Sequence, residues 1–200
     1  MLSGVYILFK NVQNLSTVFN NFPQLTTDNL ILRETKLADV PAIFQVFADD
    51  EVTKYHDLET ATSLEQVQFI IERRAERFKN QQGIRWGIAK KEDNIIIGSC
   101  GYSIKNPFQA EIGYELAREY WRKGLMTQAL RTIIHWGFHQ LNLNRIEAFV
   151  TLENTASIKL LGNLRFVEEG TLREYGFWKG QFHDLKIFSL LKRDYMTFNF

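Results

Sequence analysis

Between Ile84 and Leu116 three β-rich runs follow one another with no room between them for a crossover. Ile84, Trp86 and Ile88 alternate with other residues, Glu92-Asp93-Asn94 turns the chain, and Ile95–Ile104 is apolar and β-rich. Asn106-Pro107 breaks that run, and Glu111–Leu116 reads as a further strand. Parallel neighbours need a connection of about a dozen residues or more, so these tight turns predict an antiparallel meander. The strongest helical pattern of the chain comes next, over Leu125–Leu141. Met126, Leu130, Ile133, Gly137 and Leu141 lie along one face, with Ala129 and Trp136 beside them.

The flanks extend the same mixed pattern. Asn29–Glu34 reads as a strand, with Thr35 as the cap of a helix that runs to about Phe47 and carries Pro41 in its first turns. Ser63 and Gln66 form a capping-box pattern ahead of a buried stripe of Leu64, Val67, Ile71, Ala75 and Phe78. The acidic stretch Ala48–Glu59 reads as a solvated loop. After the long helix, Arg145–Val150 is a strand, Asn154–Leu164 a shorter helix and Phe166–Glu169 a strand. Arg173–Trp178 and Phe182–Leu191 form a hairpin around Lys179-Gly180-Gln181. The first residues are the least readable; Leu15, Val18, Phe19 and Phe22 have helical spacing that Pro23 ends. The expected architecture is one α/β domain over residues 25–200, a mixed and mostly antiparallel sheet flanked by helices, with an N-terminal extension over 1–24.

Composition narrows the function. In 200 residues, 24 basic and 23 acidic side chains leave a net charge of +1, which argues against a general electrostatic grip on nucleic acid. The one cysteine, Cys100, rules out an internal disulfide and a Cys-rich metal site. It falls in an expected interior strand with no activating base in view, the setting of an inert thiol. His135 and His139 have the i, i+4 spacing of some metal sites, but no third ligand accompanies them and no metal is expected. No apolar run approaches the roughly 20 residues that span a bilayer, and no signal peptide is visible. A cytoplasmic protein is expected.

The segment Glu111-Ile-Gly-Tyr-Glu-Leu116 to Leu130 carries the chemistry. A strand runs through a short loop holding Gly124 into the long helix. Unpartnered N–H groups at a helix start, together with the helix dipole, form an anion site suited to a pyrophosphate. Gly124 permits positive φ and close backbone approach, and Arg122 and Lys123 add positive charge. On strand alternation Glu111, Gly113 and Glu115 share one face. Taken alone, the glycine could equally serve an ordinary turn, and the carboxylates could be solvated strand residues.

The whole constellation resembles the GNAT superfamily of acetyl-CoA-dependent N-acetyltransferases, and within it the RimJ/RimL type that acetylates ribosomal-protein N-termini. The resemblance covers residues 25–192. It rests on Leu25-Thr-Thr-Asp-Asn-Leu-Ile-Leu-Arg33, Glu111-Ile-Gly-Tyr114, Tyr120-Trp-Arg-Lys-Gly124, Asn154-Thr-Ala-Ser157, Arg173-Glu-Tyr175 and Asp184. It implies that the loop of Arg122, Lys123, Gly124, Leu125, Met126 and Thr127 binds the pyrophosphate of acetyl-CoA. It also implies that the preceding strand splays from Arg145–Val150 to admit the pantetheine arm, with backbone donors near Tyr114 to Leu116 facing the thioester carbonyl. Glu111 is the implied base, directly or through water, and Glu115 a second candidate. Asn154 would hold the pantetheine amide, and Ser157 would donate to the leaving sulfur.

Three residues depart from the family pattern: Met126 at a small-residue position, Leu161 where many members have a tyrosine, and Arg165 where glycine is usual. Arg165 would be strained if positive φ is needed there. The resemblance points to acetyl transfer onto a primary amine, by preference a protein or peptide N-terminus. The alternatives are a small amine such as a polyamine or aminoglycoside, and a non-catalytic CoA-binding relative. Tyr175, Phe177, Trp178 and Phe182 are candidates for the wall of a peptide groove, for core, or for contacts of a homodimer.

Overall fold

A computed structural model describes residues 18–197. Eight strands form one sheet in the order β1-β2-β3-β4-β5-β6-β8-β7. They are β1 (Leu25–Thr26), β2 (Leu30–Arg33), β3 (Gly83–Lys90), β4 (Ile96–Asn106), β5 (Gln109–Leu116), β6 (Arg145–Thr151), β7 (Val167–Trp178) and β8 (Gln181–Leu191). The expected meander is β3–β4–β5, antiparallel throughout, and β5–β6 is the parallel pair of the sheet.

Helices cover both faces. On one side lie α1 (Val40–Phe47), α2 (Asp50–Thr53) and α3 (Leu64–Lys79). Ile43, Phe47, Val67 and Ile71 pack there against Ala89 and Ile96. On the other side lie α4 (Leu125–His139) and α5 (Thr155–Asn163), and α6 (Lys192–Thr197) follows β8. Ala129, Leu130, Ile133, Ile134 and Leu161 pack there against Ile112, Leu116, Ile146, Ala148 and Val150. The alternation of β5 and β6 explains the division: even-numbered residues face α4 and α5, odd-numbered ones face the other helices. Cys100 is fully buried, and burial pushes its thiol up to about 12.

Several local expectations need correction. Thr35 does not cap α1. Leu37–Asp39 forms a 3₁₀ turn first, and the Asp39 carboxylate, gripped by Arg33 at 2.8 Å, accepts from the Lys36 N–H. Leu64 and Ala75 leave the buried stripe of α3, Leu64 being 44% exposed. The acidic loop contains α2, capped by the Asp49 side chain accepting from the Glu51 N–H. The two expected strands after α5 are one long strand, β7. Its register shifts between Glu168 and Gly170 and between Leu172 and Gly176 absorb extra residues while pairing with β8 continues. Of the expected N-terminal helix, Leu15 lies outside the described residues, while Phe19 and Phe22 pack on Phe78.

Candidate active site

The parallel pairing of β5 and β6 covers Gln109–Glu111 against Arg145–Glu147 and then stops. Both strands continue, β5 to Leu116 and β6 to Thr151, so a gap opens between them as expected. The Ala117 N–H donates to the Ile97 carbonyl on the β4 side. Strand alternation therefore turns the N–H groups of Tyr114 and Leu116 toward the gap. The Leu116 carbonyl accepts from the Trp121 indole at 2.6 Å, which pins the loop that follows.

That loop ends at Gly124, the N-cap of α4, at φ 74° with no side-chain cap. The space where a Cβ would stand is open, with nothing within 4 Å. The first N–H groups of α4, at Leu125, Met126 and Thr127, thus open outward without an internal partner. Arg122 also has positive φ, 60°, and its side chain is exposed. Lys123 Nζ lies 5.4 Å from the Tyr120 ring centre. Met126 packs against the core, so its bulk is directed away from the loop's anion-facing backbone. An open helix start with positive charge beside it and a gap leading from it fits a pyrophosphate carrying an extended arm.

On the α4/α5 face of the gap, Asn154 Oδ1 accepts from the Ser157 N–H at 3.1 Å and caps α5. Ser157 Oγ lies 2.5 Å from the Tyr114 hydroxyl. Burial pushes the Tyr114 phenol up to about 12, against a smaller opposing effect of Ser157. The family resemblance engages Tyr114 only through its backbone. Its even-numbered place on β5, facing α5, is the signal in the sequence for a side-chain role. Leu161 is fully buried, so the place of the usual family tyrosine belongs to the core. Arg165 adopts φ 65°, the strained conformation that a glycine would accept freely.

The opposite face separates the two glutamates. Glu111 is one-third exposed and pairs with Lys105 Nζ at 2.7 Å. Glu115 is buried, with Arg74 at 3.2 Å and with Arg85 and Ser99 in close contact, so both of its oxygens are engaged. Burial pushes its carboxyl up, but Arg85 and Arg74 more than offset this and hold it at about 2. A carboxylate that weakly basic, with no free oxygen, is a poor proton acceptor at neutral pH.

The tail hairpin borders this face. Tyr175 stacks on Phe149, with ring centres 5.3 Å apart, and Trp178 stacks on His183 at 4.0 Å. Phe177 and Phe182 pair with each other, with ring centres 4.9 Å apart, and both are largely exposed. Two acidic residues at the start of α2 are engaged within the chain. Asp49 pairs with Arg118 at 3.0 Å, and Asp50 accepts from Thr60 at 2.6 Å. His135 bonds the Tyr195 hydroxyl at 2.9 Å. Among the described residues no cluster of three or more His, Cys, Asp or Glu side chains is placed to hold a metal. No described helix is long and apolar enough to cross a membrane.

A split parallel pair with an uncapped helix start beside it is the architecture of an acyl-CoA-dependent transferase. The family model for the acetyltransferase (GNAT) domain matches residues 29–167, and this chain belongs to that family. It is 43% identical to the uncharacterized N-acetyltransferase p20 of Bacillus licheniformis, over 86% of this chain and 97% of that one. The YoaA N-acetyltransferase of Bacillus subtilis is 39% identical over 86% and 98%. Among solved structures, the ribosomal-protein-S5-alanine acetyltransferase from Vibrio fischeri superimposes with a TM-score of 0.75 at 26% identity, covering 86% and 98%. The Salmonella typhimurium enzyme that modifies the N-terminal serine of ribosomal protein L7/L12 shares the fold, at TM-score 0.75 and 20% identity over 82% and 96%. The protein is an N-acetyltransferase with acetyl-CoA as its co-substrate.

Proposed function

We propose that the acceptor is the N-terminal α-amino group of a protein or peptide. The observation that carries this reading is the state of the carboxylates facing the gap. Glu115 is consumed by Arg74 and Arg85, and in this reading the base is Glu111. An α-amino group, with a pKa of about 7.7–8.0 against about 10.4 for lysine, needs least help from one partly exposed carboxylate. The internal pairing of Asp49 and Asp50 speaks against a polycation site. The likeness to the S5-alanine acetyltransferase supports the same choice.

In the proposed mechanism the first N–H groups of α4 hold the pyrophosphate, with Arg122 and Lys123 beside them, and Asn154 holds the pantetheine amide. The thioester lies in the gap. Glu111 takes the amine proton directly or through water, and the free amine attacks the thioester carbon. The N–H groups of Tyr114 and Leu116 bind the oxyanion that forms. When the C–S bond breaks, the leaving thiolate accepts a hydrogen bond from Ser157, which the neutral Tyr114 phenol backs, and the second proton that the nitrogen sheds as the amide forms ends on the sulfur.

The test is a competition between a peptide with a free Ser or Ala terminus, the same peptide N-blocked but containing lysine, and spermidine. The free-terminus peptide is expected to be acetylated first. Preference for spermidine or for the blocked peptide overturns the choice of acceptor. Glu111→Gln is expected to lower kcat by about 10²-fold or more, most strongly at low pH where the amine is protonated.

A further inference from the structure

Among the described residues three buried polar atoms have no hydrogen-bond partner: Arg74 Nη1, whose guanidinium is already engaged with Glu115, Thr151 Oγ1 and Trp178 Nε1. Thr151 is only 4% exposed. Leaving such a group unsatisfied is costly, so each one calls for a partner.

The place of Thr151 and Trp178 in the sheet suggests the partner. The last parallel pair is Glu111 with Glu147. Counting on from it, Gly113 stands level with Phe149 and Glu115 with Thr151, across the gap. Thr151 is odd-numbered like Glu111, so its hydroxyl stands on the far lip of the gap on the face where the base lies. On β8, Leu185 pairs with Thr151, and His183 lies two residues further along the same face. Trp178 stacks on His183 and therefore joins that face. Lys179, next to Trp178, donates to the Thr53 carbonyl at 2.8 Å and ties the hairpin tip across the cleft to α2.

Chemistry narrows what would satisfy both atoms. A hydroxyl accepts or donates, whereas an indole N–H only donates. The ligand must offer an acceptor to Trp178. The first residue of a peptide does so, since a carbonyl lies beside its amine. A polyamine does not, because its other nitrogens are protonated near neutral pH.

We propose that Thr151 and Trp178 form the acceptor subsite. Thr151 Oγ1 accepts a hydrogen bond from the attacking amine, which leaves the nitrogen lone pair free for the thioester. Trp178 Nε1 donates to the first peptide carbonyl. Entry of the acceptor displaces the hairpin tip from Thr53. This subsite rests on the reading of the acceptor as a peptide N-terminus.

The test is steady-state kinetics of the full chain and of Thr151→Val, Thr151→Ser and Trp178→Phe, with a Ser-terminated peptide, spermidine and acetyl-CoA as varied substrates. Thr151→Val is expected to raise the peptide KM about threefold to tenfold, the net worth of a neutral hydrogen bond, with the acetyl-CoA KM unchanged. Thr151→Ser restores the wild-type value, and Trp178→Phe lowers peptide kcat/KM by a similar factor. Thermal melting of each variant identifies any that fail to fold. A folded Thr151→Val variant that keeps the wild-type peptide KM overturns the subsite while leaving the peptide reading intact. Wild-type turnover of spermidine and not of the peptide overturns both.

Discussion

Glu111 and Glu115 lie on the same face of one strand, yet their surroundings give them different properties. Beside Lys105, Glu111 keeps a carboxylate that is one-third exposed. Between Arg74 and Arg85, Glu115 is a structural anion. Glu115→Gln is expected to cost about 3–5 kcal/mol in urea unfolding, because it leaves two guanidiniums without their counter-charge. The sign with pH follows from the folded value of about 2, below the unfolded value for glutamate. The carboxylate's contribution is complete above the unfolded value and is lost as pH falls toward 2. The stability difference between wild type and Glu115→Gln should therefore shrink in acid. On the other face, Ser157→Ala and Tyr114→Phe are each expected to slow turnover by about 10²-fold while leaving acetyl-CoA affinity nearly unchanged, measurable by stopped-flow thiol detection and calorimetry. Sequence alone offers both glutamates as bases. Only the positions of Arg74 and Arg85, contributed by α3 and β3, separate them, and no local pattern near Glu115 announces either partner.

At the scale of elements, the start of α4 is readable because its constraint is local. A glycine between a strand and a strongly periodic helix specifies a left-handed N-cap, and Gly124 adopts φ 74°. Gly124→Val forces a β-branched side chain into that conformation. It is expected to weaken acetyl-CoA binding at least about tenfold and to lower stability by about 1–2 kcal/mol, read by calorimetry and melting. The capping box at Ser63 and Gln66 is equally legible, since both partners are close in sequence. Elements fixed by distant contacts are not. The run Asp49–Thr53 looks like an acidic loop, and its helical turn is supported by Thr60 and by Lys179 of the tail hairpin. Strand β7 looks like two strands because its alternation fails at the bulges. Pairing with β8, and the Asp184 carboxylate accepting from the Glu174 N–H at 2.7 Å, carry it through.

For the whole molecule, the sheet acts as a partition: in the proposed mechanism the co-substrate lies on the α4/α5 side and the acceptor approaches from the α1–α3 side, so the two meet only where β5 and β6 part. Acetyl-CoA at about 100 times its Kd should stabilise the fold by about 2.7 kcal/mol, and EDTA should leave that gain untouched. A differential scan should show the increase as roughly 5–10 °C in Tm for a chain of this size. The parting of β5 from β6 also sets a pattern of solvent exchange. The amides of Tyr114 and Leu116 sit in the middle of a sheet, yet they face the gap rather than a neighbouring strand. In the free protein they should trade their protons for deuterium through small local openings, far faster than the amides of β4 alongside. Once a thioester carbonyl fills the gap, those two amides should slow selectively. Two protons among the backbone would then report, residue by residue, whether the gap is filled.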